Sequence, residues 1–121
     1  MFSISVETKF EASHRLRLPD GSEEKMHHHS WLVTVDLGRE HLDRMGLVMD
    51  FHKLKKLVNT LLEELDNSLL NDHRHFRTNN PSAENVARYI FEQLEPKLPA
   101  HVILQNVSVV EEPGCTARFA R

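Results

Sequence analysis

The stretch FSISVETKFEAS, residues 2–13, alternates between apolar and polar side chains. The apolar side chains on its even positions are Phe2, Ile4, Val6, Phe10 and Ala12. Thr8 is the one polar residue among these positions. A period of two is typical of a strand with one buried face. We therefore predict a first strand of about ten residues.

Two further patterns follow in the first half of the chain. Residues 31–37, WLVTVDL, alternate in the same way and predict a second half-buried strand. Residues 48–66, VMDFHKLKKLVNTLLEELD, space their leucines three and four positions apart, which predicts an amphipathic helix. Residues 16–29 carry a Pro-Asp-Gly turn signal and no apolar period, so we predict a loop between the two strands.

The second half of the chain predicts one helix and two strands. The helix begins at Pro81 and continues to about Leu94, because proline is favoured in a first helical turn. Residues 102–111 and 115–120 predict strands joined by a Pro-Gly turn. The order ββααββ predicts a single α+β domain over residues 1–121, with the helices covering one sheet face. Unpaired outer strands would favour oligomerisation.

The composition argues against several functional classes. A net charge of −3, without interleaved basic and aromatic residues, argues against a nucleic-acid partner. There is no run of roughly 20 apolar residues, so we expect no membrane association through a spanning helix. The charged N-terminal stretch lacks the apolar centre of a signal peptide, and a single cysteine, Cys115, cannot form an internal disulfide. We therefore expect a cytoplasmic protein.

The stretch SEEKMHHHSW, residues 22–31, contains three adjacent histidines. His14 ends the predicted first strand, and His27 and His29 precede the second, so antiparallel pairing would bring these three imidazoles together. His28 would point to the other face. Three imidazoles without a fourth protein ligand are typical of a zinc site with an open position. The alternatives are a loop of solvated histidines and an expression-tag remnant.

Six motifs together resemble a known family. They are FEASHRL at 10–16, HHH at 27–29, GLVMDF at 46–51, LDNSLLN at 65–71, NPSAEN at 80–85 and VSVVEE at 107–112. In this order and spacing, the chain resembles the 6-pyruvoyl-tetrahydropterin synthase family over nearly its whole length. That family includes the bacterial 6-carboxy-tetrahydropterin synthases of queuosine synthesis.

The resemblance implies a tunnelling fold, with a four-stranded antiparallel sheet and two helices packed on one face. It also implies a homo-oligomer, a trimer or a hexamer of two stacked trimers, with active sites between subunits. By the same resemblance, His14, His27 and His29 bind Zn²⁺, and Glu111 binds a pterin substrate, with Glu112 as the alternative. A carboxylate suits that role because it can accept two hydrogen bonds from the ring.

The chain departs from the family pattern at two positions. The synthases carry a cysteine shortly before the first histidine of the pair, and here Glu23 stands there, next to Glu24. Family members usually read Leu-Asp-His where this chain has Asp66 followed by Asn67. The catalytic histidine that the aspartate normally orients is therefore absent. An amide can donate a hydrogen bond but cannot relay a proton.

Other residues offer partial explanations for these departures. Cys115 lies in the C-terminal hairpin, where a small packing residue is the simpler interpretation. His73 and His75 are candidates for the missing imidazole. Asp66 is a catalytic candidate, although an aspartate at a helix end can simply stabilise a turn.

The spacing Glu-x-x-x-His-x-His resembles a branch of the family in which glutamate replaces the cysteine. That branch is associated with side-chain cleavage of dihydroneopterin triphosphate to 6-hydroxymethyl-dihydropterin, a folate precursor. The sequence thus predicts a zinc-dependent pterin lyase with Glu23 and Asp66 as catalytic residues. The alternatives are a non-catalytic zinc- and pterin-binding paralogue, an enzyme that uses the same three histidines on another substrate and, for Glu23, a solvent-facing loop carboxylate.

Overall fold

A computed structural model describes the whole chain, residues 1–121, as five strands and two α-helices. In chain order these are β1 Phe2–His14, β2 His27–Arg39, α1 Phe51–Leu62, β3 Ser68–Leu69, α2 Ala83–Leu94, β4 Ile103–Glu112 and β5 Cys115–Phe119. The predicted α+β class and both predicted helices are confirmed. Neither helix has the length and apolar character needed to span a membrane.

The strands form one sheet in the order β3-β1-β2-β4-β5. β1 and β2 pair antiparallel over their full length, from Phe2 opposite Arg39 to His14 opposite His27. β2 also pairs antiparallel with β4, and β4 pairs antiparallel with β5. The two longest strands therefore end together, with histidines facing each other.

The prediction of a four-stranded, fully antiparallel sheet is wrong, because β3 adds a fifth strand that runs parallel to β1. The turn after α1 produces this strand. Asn67 has a left-handed backbone with φ of 55°, and its N–H donates a hydrogen bond to the Glu11 carbonyl at 2.6 Å. Asparagine tolerates this conformation better than most residues. A strand of two residues has no period that a sequence pattern can reveal.

Two element boundaries also differ from the predicted ones. β2 begins at His27 rather than Trp31, because β1 pairs with it up to its own last residue. α1 ends at Leu62 rather than Asp66. The N–H groups of Leu65 and Asp66 both donate to the Leu62 carbonyl, which turns the chain out of the helix.

One face of the sheet and both helices enclose a single apolar core. Phe10 of β1 and Trp31 of β2 stack across the strand pair, with ring centroids 5.7 Å apart, and both are buried. The helices cover this face with their own buried apolar side chains, Leu54, Val58, Leu61 and Leu62 from α1 and Val86, Ala87, Tyr89, Ile90, Phe91 and Leu94 from α2. The same sheet face continues past the core to His14.

Asp50 caps α1, because its carboxylate accepts hydrogen bonds from the backbone N–H groups of His52 at 2.8 Å and Lys53 at 3.1 Å. These bonds, that from Lys53 foremost, hold the pKa of the Asp50 carboxyl below its ordinary value. We expect Asp50→Ala to lower the free energy of unfolding by about 1 kcal/mol in urea denaturation. Glu63→Ala, at the other end of α1, should change it by less than about 0.5 kcal/mol. Equal losses in both variants would contradict the capping role.

Candidate metal centre

His14, the last residue of β1, is almost fully buried, with 2% of its surface exposed. Its Nδ1 donates a hydrogen bond to the Pro81 carbonyl at 2.7 Å. Because a carbonyl oxygen only accepts, this contact places a proton on Nδ1 and leaves the lone pair of a neutral ring on Nε2. Metal-binding histidines usually have this arrangement, in which the second ring nitrogen donates to a fixed acceptor.

Strand pairing places two more histidines on the same face as His14. His27 lies opposite His14, and His29 lies two residues further along β2. The ring centroids of His14 and His29 are 5.2 Å apart, those of His14 and His27 are 6.1 Å apart, and those of His27 and His29 are 5.9 Å apart. Trp31 packs edge-on against His14 and His29. The structure therefore brings together the three histidines that the sequence predicts as ligands.

His28 lies on the opposite face of β2, as its position in the strand predicts. Its Nδ1 lies 3.1 Å from Ser13 Oγ, and its Nε2 lies 3.3 Å from Glu11 Oε1. A side chain of the same type thus sits in the same triplet but outside the cluster.

A carboxylate from β4 joins the cluster. Glu111 Oε1 lies 2.9 Å from His14 Nε2. The potential ligand atoms of His14, His29 and Glu111 all lie within 4.8 Å of one another. His27 stands slightly apart, with its Nε2 3.7 Å from Glu24 Oε1. Imidazole nitrogens and a carboxylate oxygen are a donor set that suits a divalent transition metal, so these residues fit a metal site.

Comparison with known proteins gives the family. The sequence model described as 6-pyruvoyl tetrahydropterin synthase matches residues 3–121. The chain belongs to the 6-pyruvoyl tetrahydropterin synthase family. The resemblance noted in the sequence is confirmed over almost the whole chain.

Individual members of the family show how similar the chain is to known enzymes. It is 34% identical to the dihydroneopterin monophosphate aldolase of Pyrococcus furiosus over 108 residues, which cover 89% of this chain and 88% of the relative. It is 33% identical to the 6-carboxy-5,6,7,8-tetrahydropterin synthase of Synechocystis over 125 residues, which cover 98% and 93%. The solved 6-pyruvoyl tetrahydropterin synthase of Caenorhabditis elegans superposes with a TM-score of 0.87 at 27% identity, covering 99% of this chain and 95% of the other. These relatives are enzymes of pterin metabolism.

The two glutamates that stand near the family's cysteine position have different surroundings. Glu23, the residue favoured by spacing alone, forms an ion pair with the Arg15 guanidinium. Glu24 accepts a hydrogen bond from the Leu16 N–H at 3.0 Å and lies beside His27. The structure therefore brings Glu24, rather than Glu23, to the histidine cluster. The sequence left these two residues open because the loop has no period that fixes its register.

Asp66 and Asn67, at the position of the family's Asp-His pair, lie along the outer edge of β1. Asp66 Oδ1 accepts a hydrogen bond from the Glu11 N–H at 2.8 Å, and Asn67 Nδ2 donates to Asp66 Oδ2 at 3.3 Å. Within one copy of the chain these contacts attach the turn after α1 to β1. They do not bring either side chain to the histidines.

The two histidines considered as replacements pack against α2 instead of joining the cluster. His73 Nδ1 accepts a hydrogen bond from the His75 N–H at 3.1 Å, and its Nε2 lies 3.6 Å from Glu64 Oε1. The rings of both histidines contact Tyr89. Glu64 also accepts a hydrogen bond from the Tyr89 hydroxyl, and burial together with this carboxylate raises the pKa of Tyr89.

The polar loop before α2 supports the site in a way that sequence reasoning missed. The Asn71 side chain bonds both the N–H and the C=O of Arg15, at 3.0 and 2.8 Å. The Asn80 side chain does the same for Arg17, at 2.8 and 3.1 Å. Together with the Pro81 carbonyl, these amides fix the segment that follows His14. The motifs LDNSLLN and NPSAEN contain both asparagines, but nothing in the motifs indicates their partners.

A cavity of about 570 Å³ lies away from the histidines, between α1 and α2. Its rim carries Lys53, Lys56 and Lys97 above a small apolar floor. A shallow groove of this kind has volume but no converging ligand atoms. The donor atoms at the ends of β1, β2 and β4 are therefore the better indication of chemistry.

We expect His29→Ala to weaken Zn²⁺ binding on the order of 100-fold, because it removes one of the converging donors. Competition against a chromophoric chelator measures the change. His28→Ala is the matched control, since it removes the neighbouring imidazole from the opposite face, and it should bind Zn²⁺ as the wild type does. Equal weakening in the two variants would rule out this arrangement of ligands.

Burial, followed by repulsion from His73, holds the pKa of His75 below its ordinary value of 6.5. The unfolded chain therefore takes up a proton before the folded one does as the pH falls below about 6.5. We expect the free energy of unfolding to decrease as the pH falls from 6.5 through the lowered pKa of His75. His75→Gln should reduce this slope in urea denaturation, whereas His41→Gln, on an exposed loop, should leave it unchanged. An unaltered slope in His75→Gln would contradict the prediction.

Proposed function

We propose that this member of the family is a zinc-dependent lyase that cleaves the side chain of a phosphorylated 7,8-dihydroneopterin, the triphosphate being the first candidate. The pterin product is 6-hydroxymethyl-dihydropterin. The Glu24 carboxylate beside His27 carries the proposal, because it stands close to where the synthases use a cysteine. The similarity to a dihydroneopterin monophosphate aldolase supports the same type of reaction.

In this proposal the zinc is held by His14, His27 and His29. The Pro81 carbonyl fixes the His14 ring in the tautomer that presents Nε2 to the site. Bound zinc would lower the pKa of the vicinal hydroxyl groups on the pterin side chain. The remaining steps belong to the protein side chains around it.

Glu24 is the residue that we assign as proton acceptor for the 2′-hydroxyl. The Leu16 N–H holds one of its carboxylate oxygens at 3.0 Å, so the position of the group is fixed by backbone. Glu23 remains the second candidate. Its carboxylate already has a cationic partner in Arg15, which directs it away from His27.

The reaction balances without an oxidant or a reductant. The 2′-hydroxyl loses its proton to the carboxylate, C2′ becomes a carbonyl carbon, and the bond between C1′ and C2′ breaks. The electron pair of that bond passes to C1′ and into the electron-poor pterin ring. Return of a proton to C1′ completes the hydroxymethyl group, and the rest of the side chain leaves as phosphorylated glycolaldehyde. The acid-base steps account for about 10² to 10⁴ of the rate.

Glu111 is the proposed anchor for the pterin ring, since a carboxylate can accept paired hydrogen bonds from it. We also propose a homo-oligomer, a trimer or a hexamer, in which neighbouring copies complete each site. β5 and most of β1 leave sheet edges unpaired, which supports edge-to-edge assembly. Asp66 lies along the β1 edge, so its proposed catalytic role is toward the site of a neighbouring copy.

The test is incubation of the zinc-loaded protein with dihydroneopterin triphosphate and, separately, the monophosphate, with products separated by chromatography and identified by mass. We expect 6-hydroxymethyl-dihydropterin from the wild type and a kcat lower by about 10² to 10⁴ in Glu24→Gln. Glu23→Gln is the matched control and should lower kcat by much less.

Each other outcome has a definite meaning. A large loss in Glu23→Gln with a small one in Glu24→Gln would reassign the proton acceptor to Glu23. Unchanged substrate with zinc bound would reject the lyase and leave a zinc- and pterin-binding paralogue or an enzyme with another substrate.

A further inference from the structure

The Glu111 carboxylate contacts His14 directly. A residue that only anchors a pterin ring does not need such a contact. Glu111 Oε1 lies 2.9 Å from His14 Nε2, although 27% of the Glu111 side chain is exposed to solvent. His27 has the more exposed side chain, at 46%, and is the histidine that stands apart from the other two.

The chemistry of the contact points to a shared cation. The Pro81 carbonyl is the partner of His14 Nδ1, so Nε2 is the ring nitrogen that faces the Glu111 oxygen. An imidazole nitrogen and a carboxylate oxygen are both ligands that zinc commonly has in proteins. The two atoms are already so close that a small widening of the 2.9 Å contact would let both bind one zinc ion, at about 2.0 to 2.2 Å each.

A third donor distinguishes this arrangement from a simple ion pair between His14 and Glu111. The ligand atoms of His29 fall within the same 4.8 Å group, and an ion pair would need no such neighbour. His29 is positioned there from β2, while Glu111 arrives from the end of β4. Three separate strand ends thus direct ligand atoms to one point.

We propose that Glu111 is itself a ligand of the metal when no substrate is bound, and that a pterin ring displaces it. This rests on the proposed function, since it takes the metal and the pterin from there. Glu111 then binds either the metal or the pterin ring, but not both at once. In the resting protein it occupies the position that the histidines leave open on the metal.

This exchange of partners makes binding of the pterin ring release a coordination position on the metal. The amino-imino edge of a pterin donates two hydrogen bonds, which occupy both carboxylate oxygens of Glu111 and compete with the metal for them. A ring without any side chain should therefore be sufficient to free the position. The hydroxyl groups of a true substrate can then bind at this coordination position. The position is therefore free only when a pterin is present.

Metal affinity gives the first test. Glu111→Gln keeps the shape of the side chain and removes the charge, and we expect it to weaken Zn²⁺ binding about 10- to 100-fold in chelator competition. Glu112→Gln is the matched control, because Glu112 is exposed and its carboxylate faces Cys115 in the hairpin. Glu112→Gln should bind Zn²⁺ as the wild type does. Equal affinities of all three proteins would overturn the proposal.

The visible absorption of the Co²⁺-substituted protein gives the second test, because the bands report the number and type of ligands. We expect Glu111→Gln to change the spectrum of the ligand-free protein. Addition of a pterin without a side chain should shift the wild-type spectrum but not that of the variant. A wild-type spectrum that ignores the pterin, although fluorescence shows that the pterin binds, would overturn the exchange.

These outcomes can be distinguished from failure of the proposed function. Loss of Zn²⁺ in His29→Ala with full affinity in Glu111→Gln would retain the histidine site and reject Glu111 as a ligand. A wild-type protein that binds neither Zn²⁺ nor Co²⁺ would reject both. Displacement of Glu111 from the metal by a pterin, without turnover of any dihydroneopterin phosphate, would retain the inference and reject the lyase.

Discussion

The antiparallel register between β1 and β2 is the constraint on which the rest of the structure depends. It places Phe10 opposite Trp31 and, four residues further along β1, His14 opposite His27. A slip of one residue would send every side chain of one strand to the other face. The stacking that buries Phe10 against Trp31 therefore also aligns the histidines. Core packing and the arrangement of the histidine cluster are set by the same register, so the stability of the core maintains the cluster.

The polar loop before α2 supplies what the sheet cannot. A buried imidazole is costly unless its polar atoms have partners, and Pro81 provides one for His14. Asn71 and Asn80 hold the backbone of Arg15 and Arg17 on one side. Leu16, between those two arginines, donates to Glu24 instead. One short segment after β1 thus connects the position of the loop to both a proposed metal ligand, His14, and the proposed proton acceptor, Glu24.

The sequence predicts the parts of this fold that have a period, and it misses those that do not. Alternation along β1 and β2 and leucine spacing along α1 identify these elements. Antiparallel pairing of the two strands predicts that His14, His27 and His29 converge. β3 has two residues and depends on the left-handed backbone of Asn67, which no pattern shows.

The candidate site follows the same division between local pattern and distant contact. Which of the two carboxylates, Glu23 or Glu24, lies beside the histidine cluster depends on the register of an irregular loop. The contact between His14 and Glu111 joins residues from opposite ends of the chain, and no local rule reports it. Motif resemblance pointed to Glu111 as a substrate residue, whereas its distance to His14 became visible only in three dimensions.

The two departures from the family pattern make sense as one change rather than two losses. A thiol and an aspartate-oriented histidine together move protons, whereas the proposed cleavage needs one acceptor near the side-chain hydroxyls and a proton returned to carbon. Glu24, held by a backbone N–H, meets the first need without a relay partner. The position of the family's histidine then needs no imidazole. Asparagine is well suited to it, because Asn67 has a left-handed backbone with φ of 55°. Asp66 bonds the Glu11 N–H, which fixes that turn to β1 and holds the Asp66 carboxylate at the strand edge.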